Sequence, residues 1–114
     1  MKKLNKITGD KGEIFAQNYL KKQGYKILEI NYSNKLGEID IIAKDKKTIV
    51  FVEVKSRASY KLGRPCEAVT PYKQNKIKSV AKFYLMMHNA FEEDCRFDVI
   101  EVLDEEINHI KNAF

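Results

Sequence analysis

The fold is decided by Gly37-Glu38-Ile39-Asp40-Ile41-Ile42 and Val52-Glu53-Val54-Lys55-Ser56-Arg57, two apolar runs into which charged residues are set. Each run has the composition of a β-strand. The polar stretch Asp45-Lys46-Lys47-Thr48 between them predicts a short turn. With that turn centred between Lys46 and Lys47, the two strands form an antiparallel hairpin.

The register of this hairpin determines which charged side chains lie together. Asp40 is then opposite Glu53, and Glu38 is opposite Lys55. Because side chains alternate along a strand, all four are expected on one face. Directly opposed side chains have Cβ atoms roughly 4.5–5.5 Å apart, so the two carboxylates could share a divalent metal ion beside a phosphodiester. A shift of one residue would put Asp40 and Glu53 on opposite faces.

Composition and charge narrow the class of protein. The 114 residues, 44% of them hydrophobic, fit one domain over residues 1–114. The net charge of +5 favours a polyanionic partner. The sequence has neither a signal-peptide core nor the roughly 18 consecutive apolar residues of a membrane helix, so a cytoplasmic protein without a membrane partner is expected. Cys66 and Cys95 lack metal-ligand spacing and are expected to be reduced, buried thiols.

Helix signals stand on both sides of the hairpin. Asp10-Lys11-Gly12-Glu13 has the form of a capping box and predicts a helix from Lys11 to Gln23, with Gly24 as its stop. Thr70-Pro71 predicts the start of a second helix, with a capping threonine and a proline at the first helical position. Strands are expected at Tyr25 to Tyr32, Leu36 to Ala43, Thr48 to Ser56, Phe97 to Val102 and Ile107 to Ile110.

This order of elements predicts an α/β fold. The strand at residues 48–56 is partly apolar on both faces, as expected for a strand in the centre of its sheet. A helix between two strands of one sheet usually makes a parallel crossover. We therefore expect a mixed central sheet, an antiparallel meander plus a parallel crossover strand, with flanking helices.

The order of an early acidic residue, an aspartate in one strand and Glu-x-Lys in the next resembles the PD-(D/E)xK, or restriction-endonuclease-like, nuclease superfamily. The closer resemblance is to the small YraN-like family of predicted endonucleases, and it covers almost the whole chain. Its blocks are Gly-Glu-Ile-Asp at 37–40, Phe-Val-Glu-Val-Lys-Ser-Arg at 51–57, Glu-Ala-Val-Thr-Pro at 67–71, Arg-Phe-Asp-Val at 96–99 and His-Ile-Lys-Asn-Ala-Phe at 109–114. Ile39 stands where the superfamily pattern has proline, which many members also lack.

The resemblance implies a restriction-endonuclease-like domain that hydrolyses DNA phosphodiester bonds, at branched or damaged DNA. It implies that Mg²⁺ or Mn²⁺ is held by Asp40, Glu53, the Val54 carbonyl and Glu13. Lys55 would orient the attacking water or neutralise phosphate charge. Archaeal Holliday-junction resolvases, which the chain also resembles, have a comparable glutamate to Glu13 and act as dimers, so a homodimer is expected by analogy.

Several alternatives stay open at this point. Glu13 fits a capping box as well as a catalytic role, and Glu38 fits an ion pair with Lys55. Alternating charges in a hairpin are also typical of a solvated sheet face. Contacts to nucleic acid are expected from basic residues that could instead serve surface solubility: Arg57, Lys61, Arg64, Lys73 and Lys76. The competing functions are a non-catalytic nucleic-acid-binding domain that retains the nuclease fold and a structural or protein-interaction domain.

Overall fold

The computed structural model describes residues 2–57 and 69–114, and side chains for residues 11–56 and 69–114. Its elements are α1 (Lys2–Lys22), β1 (Lys26–Asn34), β2 (Gly37–Asp45), β3 (Thr48–Arg57), α2 (Pro71–Met87), β4 (Cys95–Leu103) and β5 (Glu106–Ile110). Each predicted strand agrees with an observed one to within two residues at either end. Lys61 and Arg64, expected to contact nucleic acid, and Cys66 lie outside the described residues, and Arg57 is described by its backbone alone.

The five described strands form one mixed sheet in the order β1-β2-β3-β4-β5. The neighbours are antiparallel except for β3 and β4, which are parallel. This arrangement confirms the predicted meander with a parallel addition. The parallel pair follows from chain order, because α2 lies between β3 and β4 and returns the chain to the same end of the sheet.

The first helix begins earlier than predicted. The helix α1 starts at Lys2, so the expected start at Lys11 is wrong and the capping-box explanation of Glu13 is removed. Leu4 and Ile7 continue the helical spacing upstream, and no proline interrupts it.

The predicted end of α1 is confirmed. Gly24 has a φ of 91°, its N–H donates to the Lys21 carbonyl at 3.0 Å, and the Tyr25 N–H donates to the Leu20 carbonyl at 2.9 Å. These two bonds form a Schellman motif, in which glycine adopts the left-handed conformation without a steric cost. The predicted start of α2 is also confirmed, since the Thr70 side chain accepts a hydrogen bond from the Lys73 N–H at 3.2 Å.

The sheet separates two hydrophobic cores, and β3 contributes to both. Ile49 and Phe51 belong to the core that includes α2, whereas Val50 and Val52 belong to the core that includes α1. This division confirms the prediction that β3 is central. The expectation that Cys95 is buried is wrong, because this residue begins the β4 strand at the exposed end of the sheet. In the described part of the chain, no helix combines the length and the apolar character needed to cross a membrane.

Candidate active site

The predicted hairpin register is confirmed. The ladder between β2 and β3 runs from the pair Asp45–Thr48 to the pair Ile41–Val52, which is the register that places Asp40 opposite Glu53. The turn between the strands has Lys46 at a φ of 58°, a left-handed conformation that suits a tight hairpin.

The side-chain alternation of β2 breaks at Asp40. Ile39 and Ile42 both belong to the core on the α2 side of the sheet, whereas Ile41 belongs to the core on the α1 side. Strict alternation would group Ile39 with Ile41. The predicted grouping of the charged residues is nevertheless confirmed, because Glu38, Asp40 and Glu53 line one pocket. Asp40 Oδ2 accepts a hydrogen bond of 2.8 Å from the Val54 N–H, a strand donor that lies in the plane of the sheet.

Asp40 and Glu53 form a pair of close, mostly buried carboxyl groups. The Glu53 side chain is 7% exposed. Burial, followed by the charge of Glu53, raises the pKa of Asp40 to about 8, although the hydrogen bond from Val54 opposes this shift. Two carboxylates in such a place repel each other when both are ionised, and a cation between them relieves the repulsion.

Two lysines approach this carboxyl pair. Lys73 Nζ lies 2.6 Å from Glu53 Oε2, and Lys55 Nζ lies 3.5 Å from the same oxygen. Burial lowers the pKa of Lys55, and the neighbouring Lys73 contributes to the same shift. Burial is the largest influence on Lys73 and opposes its charge, but the hydrogen bonds to Glu53 and Lys55 and the charges of Glu53 and Asp40 together outweigh burial and raise the pKa of Lys73. The sequence predicts that Lys73 contacts nucleic acid or serves surface solubility, and in the structure α2 directs this side chain onto Glu53.

A pocket of about 200 Å³ opens beside these groups, between the end of the hairpin and the first turns of α2. It is lined by Gly37, Glu38, Asp40, Glu53, Lys73, Lys76 and Ile77. Glu38 is exposed at this pocket. From the sequence, Lys55 is expected to pair with Glu38. Among the residues that the structure describes, it pairs with Glu53 instead. Lys76 lies over the ring of Tyr72, 5.0 Å from its centroid.

Glu13 approaches Asp40 from the α1 side of the sheet. It is half-buried, and its charge contributes to the raised pKa of Asp40. The preceding Gly12 is buried, and a Cβ atom built there would collide with the Ser56 side chain. The helix α1 therefore packs its backbone directly against β3, and this close approach holds Glu13 near the hairpin.

The residues present can bind a hard divalent cation, and they offer it two carboxylates rather than three. Among the side chains of residues 11–56 and 69–114, no three His, Cys, Asp or Glu groups are close enough to hold one metal ion together. Mg²⁺ is commonly bound by one or two carboxylates, with water and substrate phosphate completing the octahedron. The pair of Asp40 and Glu53 meets this requirement, and the roles of Glu13 and the Val54 carbonyl stay predictions.

One residue near the pair was missed by sequence reasoning. Glu101 is fully buried on β4 and lies beside Lys55 in the parallel ladder. Among the residues that the structure describes, no group donates a hydrogen bond to either of its carboxylate oxygens. Its neighbour Ile100 belongs to the α1-side core and Val99 to the α2-side core, so alternation places Glu101 on the α2 side with Lys55. The signal in the sequence is a glutamate inside the apolar run Val99-Ile100-Glu101-Val102.

A second buried polar cluster lies on the α1 side, and its groups are well paired. Asp98 is fully buried and accepts hydrogen bonds from Arg96 Nε at 3.0 Å and from the Asn112 N–H at 3.1 Å. His109 Nε2 lies 2.7 Å from the same carboxylate, and Nδ1 lies 3.0 Å from the Tyr19 hydroxyl. This network ties β4, β5 and α1 together, which is a structural role.

These observations define a single α/β domain with a cluster of carboxylates and lysines at the open end of its central hairpin. The model of the uncharacterised protein family UPF0102 matches residues 12–102 of the chain. The chain belongs to this family, which is the YraN-like family that its sequence blocks resemble.

Individual relatives match over nearly their full length. A UPF0102 protein of Clostridioides difficile is 55% identical over 112 residues, covering 96% of this chain and 98% of the relative. A UPF0102 protein of Caldanaerobacter subterraneus is 51% identical over 122 residues and covers both chains completely. One from Clostridium botulinum is 53% identical over 119 residues, covering 96% of this chain and 95% of the relative.

Proposed function

We propose that this protein is a metal-dependent endonuclease that hydrolyses DNA phosphodiester bonds with Mg²⁺ or Mn²⁺. The observation that carries the proposal is the buried pair of Asp40 and Glu53 at the edge of a pocket, with Lys55 3.5 Å from Glu53. Two adjacent carboxyl groups there raise the free energy of the folded, metal-free protein when both are ionised. A domain that merely bound a polyanion would gain nothing from this pair.

The roles of the residues follow from their positions. Asp40 and Glu53 would hold the cation, which when bound polarises a phosphoryl oxygen and lowers the pKa of a water ligand. Lys55 would orient the attacking water or neutralise charge on the phosphate. Lys76 lines the same pocket and would contact a neighbouring phosphate. The Asp40 carboxylate is held in place by the Val54 N–H, so it needs no rearrangement to take its role.

The test is cleavage of linear, nicked, flapped and four-way DNA, and of RNA of matched sequence, with Mg²⁺ or Mn²⁺. Asp40→Asn and Lys55→Met are each expected to reduce cleavage by at least about 10²-fold. Glu38→Gln and Lys47→Met are the matched controls, because they remove one exposed charge of the same sign from the same hairpin. Cleavage that survives both Asp40→Asn and Lys55→Met would show that the site is misassigned.

A second function, a non-catalytic nucleic-acid-binding domain, is favoured by one contact. The Lys73 ammonium already neutralises Glu53 at 2.6 Å, so the carboxyl pair does not depend on a metal ion for all of its compensation. This alternative predicts binding of the same DNA panel in EDTA, with an affinity unchanged by added Mg²⁺ and no cleavage of any substrate.

A further inference from the structure

We infer that Lys73 and a divalent cation compete for Glu53. In this scheme Lys73 is the counter-ion of the carboxyl pair in the metal-free protein, and it turns toward the mouth of the pocket when the cation binds. The inference rests on the metal site of the proposed function, and it adds a residue whose part in metal binding the sequence pattern does not indicate.

The contact between Lys73 and Glu53 occupies the place that a cation would need. The separation of 2.6 Å between Nζ and Oε2 is that of a direct, charge-assisted hydrogen bond. Lys55 lies farther from this oxygen, at 3.5 Å. A divalent cation on the same oxygen would stand within a few ångströms of the Lys73 ammonium, and like charges at that separation repel strongly in a partly buried site.

Lys73 is freer than Lys55 to move away from Glu53. The side chain of Lys73 is 43% exposed, whereas that of Lys55 is 22% exposed. Lysine has a flexible four-carbon stem, so Lys73 can withdraw into water by rotating its side chain. Its backbone stays fixed, because the Lys73 N–H donates a hydrogen bond to the Thr70 hydroxyl, which caps the helix. Exchange therefore requires no movement of α2.

Once it has left Glu53, the Lys73 ammonium can bind phosphate at the mouth of the pocket. Lys76 lines the same pocket, so a withdrawn Lys73 adds a second positive charge beside it. A phosphodiester entering the pocket would then meet both lysines, whereas in the metal-free protein Glu53 holds one of them. Binding of the cation and exposure of a phosphate-binding group are thereby coupled.

Lys76→Met is the matched control for Lys73→Met. Both lysines lie on the first turns of α2 and line one pocket, but Lys76 contacts the Tyr72 ring rather than Glu53. Each variant removes one positive charge from the lining of the same pocket, and of the two lysines Lys73 is the one paired with Glu53. A difference between them therefore isolates the direct contact with Glu53 from the general electrostatic field.

The experiment is calorimetric titration of the whole protein with Mn²⁺ in the absence of nucleic acid. Lys73→Met is expected to bind Mn²⁺ about fivefold more tightly than the wild type, the effect of removing one ion pair of about 1 kcal/mol. Lys76→Met should stay within about twofold of the wild type. Lys73→Arg retains the charge and should also stay near the wild type, and melting temperatures establish that each variant is folded.

A second readout follows the side chain itself. In the wild type, Mg²⁺ should move the NMR signal of the Lys73 ε-carbon toward its value in free lysine, and in Glu53→Gln it should not. Equal Mn²⁺ affinities of the wild type and Lys73→Met, or a weaker affinity of Lys73→Met, would overturn the exchange alone. Absence of Mn²⁺ binding in every variant would overturn both the exchange and the proposed metal site. If Lys73 exchanges with the cation but no nucleic acid is cleaved, the exchange stands and the proposed nuclease activity is overturned.

Discussion

The backbone N–H of Val54 donates a 2.8 Å hydrogen bond to the carboxylate of Asp40, at the place where the ladder between β2 and β3 ends. A side chain thus takes the position that a strand carbonyl would otherwise occupy. This bond turns the Asp40 carboxylate toward β3 and brings it to Glu53. The pocket lined by both carboxyl groups opens at this end of the ladder.

The first prediction concerns the pH dependence of stability in the metal-free protein. Asp40 has a folded pKa of about 8 against an ordinary value of 3.8, so the folded state retains a proton that the unfolded state releases. Its stabilising contribution is fully present below about pH 4 and is lost as the pH rises through 8. Relative to Asp40→Asn, the wild type should lose about 1 kcal/mol per pH unit between pH 5 and 8.

Urea unfolding in EDTA at several pH values measures this slope. Glu38→Gln, which removes an exposed carboxylate from the rim of the same pocket, should keep the wild-type slope. Added Mg²⁺ should flatten the wild-type slope, because a bound cation favours the ionised carboxyl pair. A wild type and Asp40→Asn with parallel profiles would contradict the assignment.

The contribution of Asp98 to stability is predicted to have the opposite pH dependence. Burial opposes its charge, but hydrogen bonds from His109, Arg96 and Asn112 outweigh burial and lower the pKa of Asp98. Its contribution is therefore present above about pH 4 and is lost as the pH falls below it. Asp98→Asn should cost about 3 kcal/mol at pH 7, because it leaves buried partners without a charge, and much less at pH 3. Thermal unfolding at the two pH values measures the difference, and equal losses at both would be inconsistent with it.

Gly12 is predicted to be a position where alanine destabilises a helix. Alanine normally stabilises a helix interior by about 1 kcal/mol relative to glycine. Here its Cβ would collide with the Ser56 side chain, and overpacking of this kind costs about 1–3 kcal/mol. Gly12→Ala should therefore be less stable than the wild type in urea, and Ser56→Ala should reduce the loss. A loss of the same size in both backgrounds would exclude Ser56 as the obstacle.

Glu101 is predicted to lower the stability of the protein. Its carboxylate is fully buried and, within the described residues, accepts no hydrogen bond. Glu101→Met preserves most of the volume and should raise the free energy of unfolding by about 2 kcal/mol. Glu106→Met removes an exposed glutamate from β5 and should change it by less than about 0.5 kcal/mol. A less stable Glu101→Met protein would indicate that the carboxylate has a stabilising partner.

Much of the fold could be predicted because its signals are local. The two-residue turn at Lys46 and Lys47 sets the hairpin register, and this prediction is confirmed. Thr70 and Pro71 specify the start of α2 through capping and backbone geometry, which depend on adjacent residues. The same locality explains the agreement of the strand bounds with the alternating apolar runs.

The remaining features depend on contacts between distant parts of the chain. The position of Lys73 follows from the way α2 packs on β2, whereas a helical pattern alone indicates only that this residue lies on the lysine-rich face of the helix. The hydrogen bond from the Val54 N–H to Asp40 joins residues 14 positions apart across the hairpin. The network around Asp98 joins residues from Tyr19 to Asn112, and nothing in local spacing links them.

The outer strands of the sheet bear on how two copies of the protein could associate. One edge, β1, has a register shift between Ile27 and Glu29 and a left-handed residue at Asn31, and the other edge, β5, has five residues. Bulges and short strands interrupt the regular rows of N–H and C=O groups through which sheets join from one molecule to the next. A homodimer, which the resemblance to junction resolvases implies, would therefore form through side-chain surfaces, and strand addition into a continuous intermolecular sheet is disfavoured.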